Sequence, residues 1–276
     1  MTGDAACTGF LQWALPRLGL RWAGYRKVRG TVCKRLRRRL RTLGLPDLDA
    51  YRAYLQATPA EWSCLDALCR IPISRFYRDR AVFDSLADDA IPALARAAQN
   101  GGRVLRCWSA GCASGEEPYT IVLLWRHRIG KEFPGVELQV VATDVEPAML
   151  ARARLGCYAF GSLKDLPKDL TPSFRRVDDH WCLSAEIRNA VDWRLQDIRE
   201  AQPPEIFDFV LCRNLVFTYF EPALQSRLLQ VIASHIRTGG ALVIGAHERL
   251  PESDAFEPWN GRRSIFRRRP ETRRST

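Results

Sequence analysis

The chain has 276 residues, 46% of them hydrophobic, and 42 Lys or Arg against 31 Asp or Glu give a net charge of +11. That length allows one large domain, or a medium domain with a small one, and the composition excludes a disordered chain. No run of about 18 apolar residues occurs, so no helical membrane span is expected, and "MTGDAACTGFLQWALP" does not read as a secretory signal. The nine cysteines are odd in number and form no C-x-x-C pair, which predicts reduced, buried thiols in a cytoplasmic protein. With four scattered histidines, no metal site is expected.

The positive charge is concentrated. From Arg17 to Arg41 there are eleven basic residues and no acid, and a second basic run occupies residues 262–276. A basic segment beside a balanced body points to an anionic partner.

The segment "TVCKRLRRRLRTLG" has helical periodicity, with Val32, Leu36, Leu40 and Leu43 on one stripe and basic residues over the remainder. Gly44 and Pro46 end it. A short helix with Leu48, Tyr51 and Leu55 inward follows. Thr58, Pro59 and Glu61 then read as a capped helix start, with the helix running to about Cys69. Residues 1–80 are assigned to a helical N-terminal domain and 81–276 to a second domain. The second domain opens on a helix from about Ala81, stopped by Gly101 and Gly102.

From there strand and helix alternate: "RVLRCWSAG", "EPYTIVLLWRHRI", "ELQVVATDV", "EPAMLARARLG", then "FDFVLCRNLVF", "PALQSRLLQVIASHIRTGG" and "ALVIGAH". That order predicts an α/β fold, a doubly wound, Rossmann-like parallel sheet. Residues 157–195, with "RRVDDHWCLS" and "AVDWRL", break the alternation and are expected to form a small antiparallel insert.

In such a sheet, ligands sit beyond the carboxyl ends of the strands. Three features fall there: the loop "SAGCASGEE" with Gly111 and Gly115, Asp144 ending "VVATD", and Asn214 in "CRNLVF". The loop matches neither G-x-G-x-x-G nor a Walker sequence. Acids beside a glycine loop, without phosphate-binding groups, suit a cationic ligand that carries a ribose. S-adenosylmethionine has that character, with Glu117 facing its amino group and Asp144 its ribose. The plainer alternative makes Glu116 and Glu117 first-turn helix acids and Asp144 a turn acid.

The segments "ISRFYRD", "WSAGCASGEEPY", "ATDV", "LGCYAFGSL" and "FDFVLCRNLVFTYF" occur in that order. Together they resemble the CheR-type protein-glutamate O-methyltransferases of bacterial chemotaxis, over about residues 20–250. The resemblance implies a helical N-terminal domain, a methyltransferase domain with a small β insert, and S-adenosylmethionine as cofactor. It implies cofactor contacts for Ser74, Arg78, Gly111, Glu117, Asp144, Asp197, Ile198, Asn214 and Leu215. Three departures stand out. Thr218 occupies the place of the family tyrosine, with Tyr219 one residue later. The late "G-H-S-E" reads "GAHE", and the insert is short, which bears on docking of a receptor-tail peptide.

The implied reaction is methyl transfer to glutamate carboxylates of a receptor protein. A carboxylate is already ionised at neutral pH, so no general base is required. Arg78 and Tyr219 are the candidates for orienting the acceptor, against plainer roles as an ion-pair partner of Asp79 or Asp84 and as a core tyrosine. Lys34, Arg37, Arg38 and Arg41 are expected to meet an acidic helical receptor region, against the plainer reading of a solvated face. Nucleic acid is not expected as partner, because no aromatic–basic interleaving supports base stacking. The alternatives are a cofactor-binding regulatory module without turnover and a methyltransferase of this fold acting on RNA or a small acid.

Overall fold

The computed structural model describes residues 3–270 and divides into two compact units. The first comprises residues 1–71 with 218–225, the second 72–217 with 226–276. The division falls after Ile71 rather than at residue 80. Phe76 and Tyr77 explain the difference, since both are fully buried in the core of the second unit. Residues 271–276, the end of the second basic run, lie outside the described residues. The part before them contains a strand, Ile265–Arg268.

The first unit is helical, with helices Asp4–Ala14, Trp22–Tyr25, Arg29–Leu43, Leu48–Ala57 and Glu61–Cys69. Val32, Leu36 and Leu40 are buried as the apolar stripe requires, and Gly44 ends that helix at φ 67°. Asp47 caps the next helix, accepting from the Ala50 amide at 2.8 Å. The expected cap at Thr58 is not formed. The helix begins at Glu61 without a side-chain cap, and the Glu61 carboxylate turns inward instead. It accepts from Arg39 Nε at 2.9 Å, Arg39 Nη2 at 2.7 Å and the Tyr51 hydroxyl at 2.7 Å. Charge-assisted bonds outcompete a weaker link to the backbone at the helix start.

The second unit is built on a seven-stranded sheet. Its strands are β1 (Leu105–Ala110), β2 (Leu138–Asp144), β6 (Val191–Leu195), β7 (Phe207–Leu211), β8 (Ile236–Val243), β9 (Phe256–Pro258) and β10 (Ile265–Arg268). The order is β6-β2-β1-β7-β8-β10-β9, parallel from β6 to β8, with β10 antiparallel to both β8 and β9. Every residue of β7 is buried, as expected of a strand covered on both faces. Asp208 within it is held by Arg103 and by the Arg106 amide.

The insert is a three-stranded antiparallel sheet of β3 (Cys157–Ala159), β4 (Phe174–Val177) and β5 (His180–Leu183), in the order β3-β5-β4. It is smaller than expected, because "AVDWRL" forms β6, the edge strand parallel to β2. The helix expected over "PALQSRLLQVIASHIRTGG" ends at Ser234, and Ile236 already opens β8.

The expectation of nine reduced thiols is overturned for four of them. Cys7 is bonded to Cys33, and Cys157 to Cys182. Packing of helix Asp4–Ala14 on helix Arg29–Leu43 joins the first pair, and the β3–β5 register places the second pair opposite each other. Cys64, Cys69, Cys107, Cys112 and Cys212 are free, and all but Cys64 are buried.

Candidate functional site

The strand order reverses direction at β1, with β2 on one side and β7 on the other, so the loops leaving these strands open the switch-point crevice. Gly111 and Cys112 both donate to the Thr143 carbonyl, at 2.9 and 3.0 Å, which fastens the β1 loop to the end of β2. Gly111 has φ 74°, and a Cβ there would lie 2.4 Å from Leu215 Cδ2. The glycine thus lets the β1 loop and the loop after β7 close on each other. Sequence reading named Gly111 apart from the Asn214–Leu215 pair; the fold brings Gly111 against Leu215.

Asp144 ends β2. Its Oδ2 accepts from the Ala113 amide at 2.8 Å and its Oδ1 from the Glu146 amide at 2.9 Å. The carboxylate therefore shapes the glycine loop. Ala113 is held at φ 47°, in the left-handed region.

Glu116 and Glu117 separate in role. Glu116 is 1% exposed and bonds to the Ser114 hydroxyl, a purely internal contact. Glu117 accepts from Ser109 Oγ at 2.8 Å and from Arg213 Nη1 at 2.9 Å, and its side chain is 13% exposed. Arg213 is the residue sequence reading passed over. Its side chain is 3% exposed; it reaches Asp79 Oδ2 at 3.0 Å and the Arg78 carbonyl at 2.6 Å, and lies 4.7 Å over the Phe83 ring. The signal was present inside the quoted "CRN", since an arginine at the end of an all-buried strand must have carboxylate partners. Glu117, expected to face the amino group of the ligand, thus already has one oxygen on Ser109 and the other on Arg213.

The segment carrying Ser74 and Arg78 is tied down by its neighbours. The Phe76 amide donates to the Ser162 carbonyl at 3.0 Å, and the Tyr77 amide to Thr120 Oγ1 at 3.2 Å. Tyr77 and Asp79 both have positive φ, 57° and 61°. Burial and the bond to Asp84 push the Tyr77 hydroxyl up to about 12. Arg78 donates to the Ile73 carbonyl at 2.8 Å, and it has no ion pair among the described residues. The pairing with Asp79 or Asp84 that offered a plainer role is absent there: Asp79 serves Arg213, and Asp84 bonds to Tyr77 and Arg80. Ser74 is partly exposed on this segment.

Beyond β6, the Gln196 amide donates to the Asp144 carbonyl at 3.1 Å, which sets "QDI" beside the end of β2. Asp197 pairs with Arg199 at 2.6 Å, and Ile198 is buried. Gln196 Oε1 is buried without a hydrogen-bond partner among the described residues, and sequence reading had not singled it out. After β7, Asn214 has φ 56°, and its amide donates to Glu248 Oε2 at 2.8 Å. The same oxygen accepts from the Gly245 amide at 2.7 Å, so the acid of "GAHE" braces the Asn214 turn. Tyr219 belongs to the first unit, where its ring lies 5.1 Å from that of Tyr25.

In the first unit the basic helix divides by face. Arg35 reaches the Leu68 carbonyl and Arg39 the buried Glu61. Lys34, Arg37, Arg38 and Arg41 are exposed and have no ion pair among the described residues. No helix is long and apolar enough to cross a membrane, and no group of three or more His, Cys, Asp or Glu is placed to hold a metal, among the described residues.

The donor set fits S-adenosylmethionine. Two carboxylates flank a loop whose glycine admits no Cβ, and a buried amide oxygen lacks a partner at the third strand end. Comparison with known proteins agrees. Residues 73–265 match the CheR methyltransferase SAM binding domain, and residues 23–66 match the CheR methyltransferase all-alpha domain. A chemotaxis protein methyltransferase of Salmonella typhimurium is 32% identical over 256 residues, covering 90% of this chain and 84% of that protein. An uncharacterized 104.1 kDa protein of Rhodobacter capsulatus is 34% identical over 240 residues; these cover 86% of this chain but 25% of that relative's length. Among solved structures, SAM-bound CalS10, an amino pentose methyltransferase from Micromonospora echinaspora, superposes with TM-score 0.34 at 23% identity, covering 60% of this chain and 51% of that one. With both of its domains matched in order, and a cofactor-binding domain match over most of its length, the chain belongs to the CheR methyltransferase family, whose cofactor is S-adenosylmethionine.

Proposed function

We propose that this protein esterifies glutamate side chains of a protein acceptor, the acidic helical cytoplasmic region of a chemotaxis or related sensory receptor. The observation that carries this reading is the pair of braced acids at the switch point, Asp144 on two backbone amides and Glu117 between Ser109 and Arg213. When bound, S-adenosylmethionine supplies a methyl group activated by a sulfonium. Asp144 is assigned to its ribose and Glu117 to its amino group. Ser74, Gly111, Asp197, Ile198, Asn214 and Leu215 are assigned to the walls around it.

Arg78 is assigned to the acceptor. One of its amino groups is held by the Ile73 carbonyl, and the planar fork suits a carboxylate. Alignment of two reactants is worth on the order of 7–11 kcal/mol in favourable cases, and no proton need move. Arg78→Ala is expected to cut turnover about 100-fold while sparing most cofactor affinity, the pattern of a group that holds acceptor rather than cofactor. Tyr219 is assigned a second orienting role on sequence grounds. Lys34, Arg37, Arg38 and Arg41 are assigned to docking the acidic acceptor.

Thr218 in the place of the family tyrosine favours a second reading, a regulatory module that binds cofactor without turnover. Incubation with labelled S-adenosylmethionine and an acidic receptor fragment separates the two. Ester formation releases labelled methanol under alkali. Cofactor binding by calorimetry with no labelled acceptor would leave the regulatory reading standing alone. Cytoplasmic location is part of the proposal. The Cys7–Cys33 and Cys157–Cys182 bonds run against a reducing compartment, so alkylation before lysis and thiol counting test it: four further free thiols in the cell support cytoplasmic location, and retained bonds count against it.

A further inference from the structure

Beside the Asn214 turn lies an open groove of about 730 Å³ between the loop after β8 and the strands β9 and β10. Phe256, Pro258 and Phe266 give it an apolar side. Its polar side carries His247, Arg249 and Arg263, all exposed and without an ion pair among the described residues. Arg262 also lines it but is engaged, donating to Ser85 Oγ at 2.6 Å and facing Asp89 at 3.5 Å. Glu248, the acid in the lining, is buried, with one oxygen spent on two backbone amides. Glu252 and Asp254 are exposed on the same loop but do not line the groove.

The groove is joined to the cofactor crevice by covalent and hydrogen-bonded structure. Glu248 bonds to the amides of both Gly245 and Asn214, and a Cβ on Gly245 would lie 2.2 Å from the Asn214 side-chain nitrogen. A chain held between Arg249 and Arg263 therefore lies on the loop whose Glu248 braces Asn214. Two unpaired guanidinium groups over an apolar floor match an amphipathic segment that presents carboxylates on one face.

We propose that this groove is an acceptor-docking surface that seats a carboxylate-rich segment of the substrate protein next to the methyl-transfer centre. The proposal rests on the reading of the protein as a protein-glutamate methyltransferase. It adds a surface within the second unit to the basic helix of the first.

The test is fluorescence anisotropy of a labelled Glu-rich helical peptide on the full chain with S-adenosylhomocysteine present. The Gln-for-Glu peptide serves as control and a single-stranded RNA as competitor. The double variant Arg249→Glu/Arg263→Glu is expected to weaken peptide binding about tenfold or more, with a shallower salt dependence. Calorimetry is expected to give unchanged S-adenosylhomocysteine affinity, and Arg249→Gln/Arg263→Gln an intermediate loss if the reversed variant fails to fold. Equal binding of the Glu and Gln peptides would overturn the proposal, as would unchanged peptide affinity in both double variants. RNA displacing the peptide with higher affinity would overturn it in favour of a nucleic-acid groove. None of these readouts needs methyl transfer, so failure of the esterification assay would be seen separately.

Discussion

Each unit contains an arginine–glutamate pair, and the two are built for different purposes. In the helical unit Glu61 is 4% exposed and receives both Arg39 nitrogens and the Tyr51 hydroxyl. Both of its oxygens are bound by the fold, as are both of Glu117, but Arg39 has no second carboxylate among the described residues. In the sheet unit Glu117 keeps 13% of its side chain exposed, and its arginine is divided among Glu117, Asp79 and the Arg78 carbonyl. A closed pair stabilises a fold and offers nothing to a ligand. A pair whose arginine is tethered from behind, at a strand end with strained neighbours, holds a carboxylate in place while leaving it open to a further partner.

The sharpest way to break that contrast is to delete each glutamate. Glu117→Ala is expected to weaken S-adenosylmethionine binding about 100-fold with little change in melting temperature, since Arg213 retains Asp79. Calorimetry and thermal denaturation on one sample check both halves. Glu61→Ala is expected to do the reverse. Loss of one partner of a buried pair costs about 2–4 kcal/mol of stability, allowing for the partial exposure of Arg39. Cofactor affinity is expected to stay unchanged. If Glu117→Ala unfolded the protein and left residual cofactor affinity intact, both pairs would be structural.

A smaller effect sharpens the role of the tether. Asp79→Asn keeps the shape but removes the charge behind Arg213, and turnover is expected to fall about tenfold, by about 1.4 kcal/mol in barrier. Asp79→Ala is expected to lose more, and a fall in kcat with unchanged cofactor affinity separates positioning from binding. The smallest effect is the pH response. The Arg39 bonds hold the Glu61 carboxyl below its ordinary value. Its contribution is therefore complete above the unfolded-state value of about 4.3 and is lost as pH falls through the folded value, where the unfolded chain binds more protons. Stability measured by urea between about pH 6 and 3 is expected to fall, and Glu61→Gln to flatten part of that fall. Asp169 and Glu205, also held low by arginines, contribute to the rest, as do Asp4 and Asp89.

Much of the architecture was legible because periodicity reports burial locally. The stripe Val32–Leu36–Leu40 and the alternation from "RVLRCWSAG" onward each need only neighbouring residues to be read. The glycine loop and Asp144 were legible for the same reason, since a strand end followed by small residues marks the crevice. Reading stopped where two distant segments decide an outcome. "AVDWRL" has the pattern of a strand in either sheet, and only pairing with β2 makes it an edge of the large one. Glu61 read as a helix-start acid until Arg39 and Tyr51 drew it inward. Cys7 and Cys33, 26 residues apart, become partners only when two helices pack.

The sequence by itself determined the helical front, the alternating strands and helices, the acids at the strand ends and the family to which they belong. These follow from local chemistry and from a short ordered set of motifs. Only the tertiary structure decided that Arg213 joins Glu117 to Asp79, that Gly111 closes on Leu215, and that Glu248 braces Asn214 beside a basic groove. Each of those contacts links residues far apart in the chain. A buried charge must find its counter-charge somewhere, but which one it finds is set by how the strand ends converge.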